Sequence, residues 1–316
     1  MSTFKEIRGT LIKSVSSDPA NPVLGEMWYN STTGSQALKG VVSITGQWSS
    51  GGNLGTARYN LGGAGTLTAG LAFGGREPYV ADTEEYNGTS WSEQNNLATA
   101  RAQLGGAGTQ TAALAFGGTP PTSNLTEEYD GSSWTNGGTL ALARRLLSGA
   151  GTQTAGLAFG GGPPNTGSTE EYGGTSWTSG GALTDARRGL AGCGTQTAGL
   201  AFGGIPTTAA VEEYDGSSWT NGGAISNSRG YLGGLGIQTS ALAISGLPSP
   251  NATLVEQYDG TNWTSRSTLA TGRAEGGAAG TTSAGLYFGG APGPAGVVTT
   301  EEFTGGTITQ TFTTST

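Results

Sequence analysis

The sequence of 316 residues contains no histidine and a single cysteine, Cys193. Without imidazole, histidine-ligated metal centres, Ser-His-Asp triads and Cys-His dyads are excluded. One thiol cannot close an intrachain disulfide. Charge is scarce as well: Asp, Glu, Lys and Arg make up 11% of the chain and leave a net charge of −8. An acidic chain without a basic cluster is a poor partner for nucleic acid or an anionic membrane surface. No apolar run is long enough to span a bilayer, and the opening MSTFKEIRGTLIKSV lacks the apolar core of a secretory signal. The chain therefore reads as soluble, made in a cytoplasm or exported by assembly, with no membrane insertion.

Glycine, in contrast, is abundant, with 60 residues. It falls in register with a repeat of about 43 residues, which argues for tight turns and close strand approach rather than disorder. Arg recurs at Arg58, Arg101, Arg144, Arg187, Arg229 and Arg273. Fifteen residues after each stands Phe73, Phe116, Phe159, Phe202, Ile244 or Phe288, opening a Gly-rich end. An acidic-aromatic triplet follows, such as Glu127-Glu128-Tyr129. Ten residues before each Arg lies a Trp: Trp48, Trp91, Trp134, Trp177, Trp219 and Trp263.

Each copy breaks into four short β segments separated by turn residues, with Gly and Ala first and Trp last. Strands crowded around an axis need small residues and outer strands can carry large ones, which predicts an all-β, six-bladed β-propeller with an N-terminal extension. The expected organisation is an N-terminal arm over 1–45, the propeller over 46–303 and a Thr-rich tail over 304–316. The last repeat, Arg273 to Phe303, has no Trp after it, whereas Trp48 precedes the first. Two closures are open: Trp48 supplies the outer strand of the last blade, or the tail does so with Ile308 in the Trp role.

Within the repeat, the spacings Trp to Arg, Arg to Phe and Tyr to Trp hold constant. Only the step from the Phe to the Tyr varies, through 13, 13, 13, 12, 14 and 15 residues. The variable segments are REPYVAD, TPPTSNL, GPPNTGS, IPTTAA, LPSPNATL and APGPAGVV. Loops tolerate such change and packed strands do not, so the partner-contacting rim is expected on the face carrying the loops between strands two and three. Its expected contact groups are Arg76, Tyr79, Asn124, Asn165, Leu247 and Asn251. With few ionisable groups in these loops, recognition is expected to rest on shape, amide and hydroxyl hydrogen bonds and a few apolar contacts. That suits a glycan or a protein subunit.

The paired glycines, the Trp, and the apolar residue six past it (Leu54, Leu97, Leu140, Leu183, Ile225, Leu269) resemble the kelch repeat over Trp48 to Phe303. The repeat is shorter than usual for kelch, and Ile-Ser-Gly replaces Phe-Gly-Gly at Ile244. Residues 1–45 do not repeat. Their GEMWYNSTTG…LKG segment forms a hairpin by its strand and turn signals, and it is similar to a segment common in bacteriophage tail and virion proteins. That resemblance implies a phage virion structural or adhesion protein, of tail-fibre, decoration or receptor-binding type. Its arm (Met27, Trp28, Tyr29) would dock on other virion proteins, its propeller would meet a host-surface glycan or protein, and it would stand as a homo-oligomer in a particle assembled in the host cytoplasm. Other classes considered are a cellular kelch-type interaction module or adhesin, and a carbohydrate-active propeller.

Candidate chemistry reduces to structure. Cys193 occupies a slot otherwise held by Ala64, Ala107, Ala150, Leu235 and Ala279, which marks a core position. Paired carboxylates such as Glu84-Glu85 could suggest a glycosidase, but neighbours on a strand point to opposite faces and the pairs recur in nearly every blade. Ion pairs with the repeated Arg are expected instead. Asp130-Gly-Ser-Ser-Trp134 resembles a sialidase Asp-box, with Asp one residue too close to Gly. The Asn30, Asn87, Asn251 and Asn262 sequons would matter only in a eukaryotic secretory setting. No enzymatic activity, metal or cofactor is expected.

Overall fold

The computed structural model describes residues 13–15, 27–30, 38–248 and 251–312, and in parts of the terminal strands the backbone alone. Six antiparallel four-stranded blades form a β-propeller: five are separate sheets, and the sixth is part of a six-stranded sheet. Blade 1 comprises Gly62–Thr66, Ala69–Phe73, Thr83–Tyr86 and Trp91–Gln94, and blades 2 to 5 repeat this order. The innermost strands of consecutive blades stand side by side around the axis.

Close packing explains the glycines of those inner strands. A Cβ at Gly62 would lie 2.2 Å from the Phe73 ring, which folds across the neighbouring strand. Further out, Leu71, Phe73 and Tyr86 are fully buried, and the Trp of one blade packs on the Phe of the blade before it. Trp134 lies 5.1 Å from Phe73 and Trp177 lies 5.1 Å from Phe116, ring centre to ring centre. Such contacts make the blades interdependent.

Blade 6 consists of Gly277–Thr281, Ala284–Phe288, Thr300–Phe312 and Leu38–Ser50, in that order outward. The outer strand thus comes from the N-terminal part of the chain, and Trp48 stacks 5.1 Å from Phe303. The tail does not supply a fourth strand. It prolongs the third one through Phe312.

By compactness, Gln47–Thr304 forms one unit, and described residues outside it form another. In the latter, Met27–Asn30 pairs antiparallel with the start of Leu38–Ser50, with Met27 opposite Gly40 and Tyr29 opposite Leu38, as a hairpin. Lys13–Val15 adds a parallel strand to it. Trp28 is only 1% exposed. A buried indole packs as a core residue of this unit. Met27 is half-buried, and the Tyr29 side chain lies outside the described residues.

Candidate functional site

Each repeat Arg sits in the crossover that enters its blade and is at most 1% exposed. It pairs with the first Glu of that blade's third strand: Arg58 with Glu84 at 2.8 Å, Arg101 with Glu127 at 3.1 Å, Arg144 with Glu170 at 3.0 Å. Arg187–Glu212, Arg229–Glu256 and Arg273–Glu301 complete the set. Arg58 also donates to the carbonyls of Gly74 and Asp82, fastening the crossover to the loop between strands two and three. Burial lowers the Arg58, Arg101 and Arg144 pKa values, and their Glu partners oppose that shift. The other oxygen of Glu84 accepts the Gly55 N–H at 2.7 Å, and Glu127 and Glu170 do the same for Ala98 and Ala141.

The second Glu serves the blade interface. Tyr129 donates to Glu85 at 2.9 Å, and Tyr86, Tyr172, Tyr214 and Tyr258 donate to Glu302, Glu128, Glu171 and Glu213. Five of the six blade junctions carry this bond. At the sixth, Gln257 replaces the Glu and Phe303 replaces the Tyr, so donor and acceptor are absent together. Burial, then the bond to Glu, pushes the Tyr86, Tyr172, Tyr214 and Tyr258 phenols up to about 12. Cys193 is buried in the channel wall with its thiol pushed up to about 12, in the core role expected. Asp130 accepts the N–H groups of Ser132 and Ser133, each at 2.8 Å, in an Asx turn.

A different geometry closes the crossover face around the axis. Two residues after each repeat Arg stand Asn60, Gln103, Leu146, Gly189, Tyr231 and Glu275, all left-handed, with φ between 55° and 63°. Each donates its N–H to the equivalent carbonyl of the preceding blade: Gln103 to Asn60, Leu146 to Gln103 and Gly189 to Leu146, at 2.8 Å. Tyr231 donates to Gly189, Glu275 to Tyr231 and Asn60 to Glu275, at 2.7, 3.1 and 2.7 Å. The six bonds form a closed ring. Outside it, the residue before each ring member makes two backbone bonds to the loop between strands two and three, as in Arg145–Gly162 and Arg188–Ile205.

Side chains of the ring residues surround a mouth of about 90 Å³, above a glycine-lined axial channel of about 230 Å³. Left-handed backbone costs a branched or aromatic L-residue about 1–2 kcal/mol, yet Leu146 and Tyr231 adopt it. Where the scaffold repeats closely, the ring slot holds six different residues. Together with the adjoining loops it is the candidate binding site.

The predicted contact groups divide on inspection. Arg76 stacks over Tyr59 at 5.1 Å and over the exposed Tyr79 at 5.6 Å, forming an aromatic-cationic corner. Burial raises the Tyr59 pKa, with the Arg76 charge opposing, and burial likewise raises that of Glu275 against the Asn60 amide and Arg76. Leu247 is exposed. Asn124 donates to the Leu140 carbonyl at 3.1 Å, which fastens its own loop. Asn165 donates to the Ile205 carbonyl at 3.0 Å and accepts from Arg188 at 2.9 Å, bridging two blades. Asn251 opens a short 3-10 helix, and its side chain lies outside the described residues.

Sequence reasoning missed the ring and two charged rim residues, Arg145 and Arg188. Their presence revises the expectation that the face carries few ionisable groups. Only these two repeats have an Arg-Arg doublet, a signal hidden by the structural Arg beside it.

No family model and no curated protein sequence matches the chain. Among solved structures it is similar to that of YjhT, with a TM-score of 0.68 and 12% identity over 83% of this chain and all of that one. At that identity the likeness concerns the propeller fold, which hosts many functions.

Proposed function

We propose that the protein is a non-enzymatic phage virion structural and adhesion protein. Its N-terminal arm joins other virion proteins, and the crossover face of its propeller contacts a host-surface glycan or protein. The observation that carries this reading is the confinement of chemical variety to one face. Five blade junctions share one bonding scheme, while the ring slot and the loops between strands two and three differ from blade to blade. A rigid frame presenting diverse side chains at one mouth fits recognition, since little ordering entropy is lost on binding.

The repeated carboxylates support the absence of catalysis, because each described pair is taken up by Arg, backbone or Tyr. The virion role rests on the hairpin at Met27–Asn30 and the residues around it. Mass spectrometry of purified virions tests it: the protein is expected among the particle components, and its absence from particles would overturn the reading. A truncated protein beginning at Gly40 keeps the Trp48 strand and is expected to fold yet fail to join the particle. Normal incorporation of that protein would remove the docking role from the arm.

A further inference from the structure

The positive charge of the propeller is distributed unevenly. Ten of the chain's 14 Lys and Arg residues lie between residues 47 and 304, and six of these are the buried repeat Arg. Four remain: Arg76, Arg145, Arg188 and Arg266. Arg76 is held in the aromatic corner near Glu275, and Arg266 donates to Gln257 at the end of the outer strand of blade 5. Arg145 and Arg188 occupy equivalent slots in adjacent blades, each immediately before a ring residue.

Neither has a carboxylate partner among the described residues, where every ion pair belongs to a repeat Arg. Both are instead oriented by neutral amides. Arg145 donates to Gln103 Oε1 at 3.1 Å, and Arg188 donates to Asn165 Oδ1 at 2.9 Å. The Nε of Arg145 is buried and makes no hydrogen bond among the described residues. Both guanidiniums are half-buried, held in place by neutral amides and without a counter-charge among the described residues, so an anion could complete them through charge-assisted hydrogen bonds.

The backbone restricts what that anion belongs to. All six N–H groups and carbonyls of the ring are bonded to one another, and the six bridges outside it use both main-chain groups of each crossover residue. An extended peptide docks largely through main-chain hydrogen bonds, and the ring and its bridges have none left to give. What the rim of blades 3 and 4 offers is guanidinium and amide groups with the Tyr231 ring beside them, around a mouth that admits only a compact group and whose one carboxylate among the ring residues, Glu275, stands in blade 6. That inventory matches a hydroxyl-rich ring bearing one carboxylate.

We propose that the rim of blades 3 and 4 is a carboxylate subsite, in which Arg145 and Arg188 bind the carboxylated sugar of an acidic polysaccharide. The proposal rests on the adhesion reading above and narrows its ligand class.

The test measures binding of the full-length protein to polygalacturonate and to hyaluronan, each beside its methyl-esterified form, with poly-glutamate as the peptide arm. Binding is expected to at least one carboxylated polymer, weakened about ten-fold or more by esterification and by the R145Q/R188Q double substitution, as loss of charge-assisted contacts implies. Arg266→Gln, which removes a charge outside the rim, should leave binding unchanged. Equal binding of the esterified polymers, no binding to either acidic polymer, no effect of R145Q/R188Q, or tighter binding to poly-glutamate would each overturn the proposal. Host attachment unaffected by R145Q/R188Q but abolished by exchange of the loops would refute the subsite alone. Attachment surviving both would refute the adhesion reading itself.

Discussion

At the level of single residues, the fold is held by groups that do two jobs. Each repeat Arg ties crossover to loop, and its Glu ties that Arg to incoming backbone. Removing one partner of such a pair leaves an uncompensated buried charge, at a cost of about 3–5 kcal/mol. Arg144→Met is therefore expected to lower stability by about that amount in denaturant unfolding. Replacing Arg144 and Glu170 together with apolar residues should cost much less than the sum of the single changes.

The tyrosines set a pH limit. Because the folded Tyr86, Tyr172, Tyr214 and Tyr258 phenols lie near 12 and the unfolded value is 10.0, their contribution is complete below pH 10. It is lost as pH rises through the folded values. Unfolding monitored between pH 9 and pH 12 should show stability falling across that window. Tyr172→Phe should flatten the fall, and an unchanged slope in that variant would contradict the assignment.

Among elements, the third strand decides how the next blade's Trp is satisfied. Where it begins with Thr, the indole N–H of that Trp donates to the hydroxyl: Trp134 to Thr83 and Trp177 to Thr126, both at 2.9 Å. Blades 4 and 5 begin that strand with Val211 and Val255, and the indole N–H groups of Trp263 and Trp48 are buried with no hydrogen-bond partner among the described residues. Val211→Thr is expected to stabilise by about 0.5–1.5 kcal/mol by supplying the missing acceptor, read as a higher denaturation midpoint at unchanged slope. No gain would mean that the hydroxyl fails to reach Trp263.

The contrast between legible and illegible features also lies at this scale. Blade number and the Arg–Glu pairing follow from one period repeated in register, so each copy corroborates the others, whereas the sequence left closure by Trp48 or by the tail open and the structure decides for Trp48. The axial ring does not. Asn60, Gln103, Leu146, Tyr231 and Glu275 share no preference for left-handed backbone that would set Leu and Glu beside Asn, and only Gly189 advertises it. Their conformation is imposed by closure of the six blades on one another. The Tyr–Glu bonds were hidden for a related reason: they join consecutive blades, whereas a repeat is read within one. The joint change at Gln257 and Phe303 is the trace they leave in the sequence.

For the whole molecule, the two faces of the propeller have different work. The inner strands and blade interfaces repeat nearly unchanged, and the crossover face carries the ring slot, the Arg145–Arg188 rim, the Arg76 corner and all the length variation. We propose that recognition belongs to that face and stability to the rest. Exchanging all six loops between strands two and three for IPTTAA, the shortest, and measuring adsorption to the host tests this division most directly. The protein is expected to stay folded and to lose attachment. Attachment at the original level, with the fold intact, would contradict the account and place recognition on the opposite face or in the N-terminal arm.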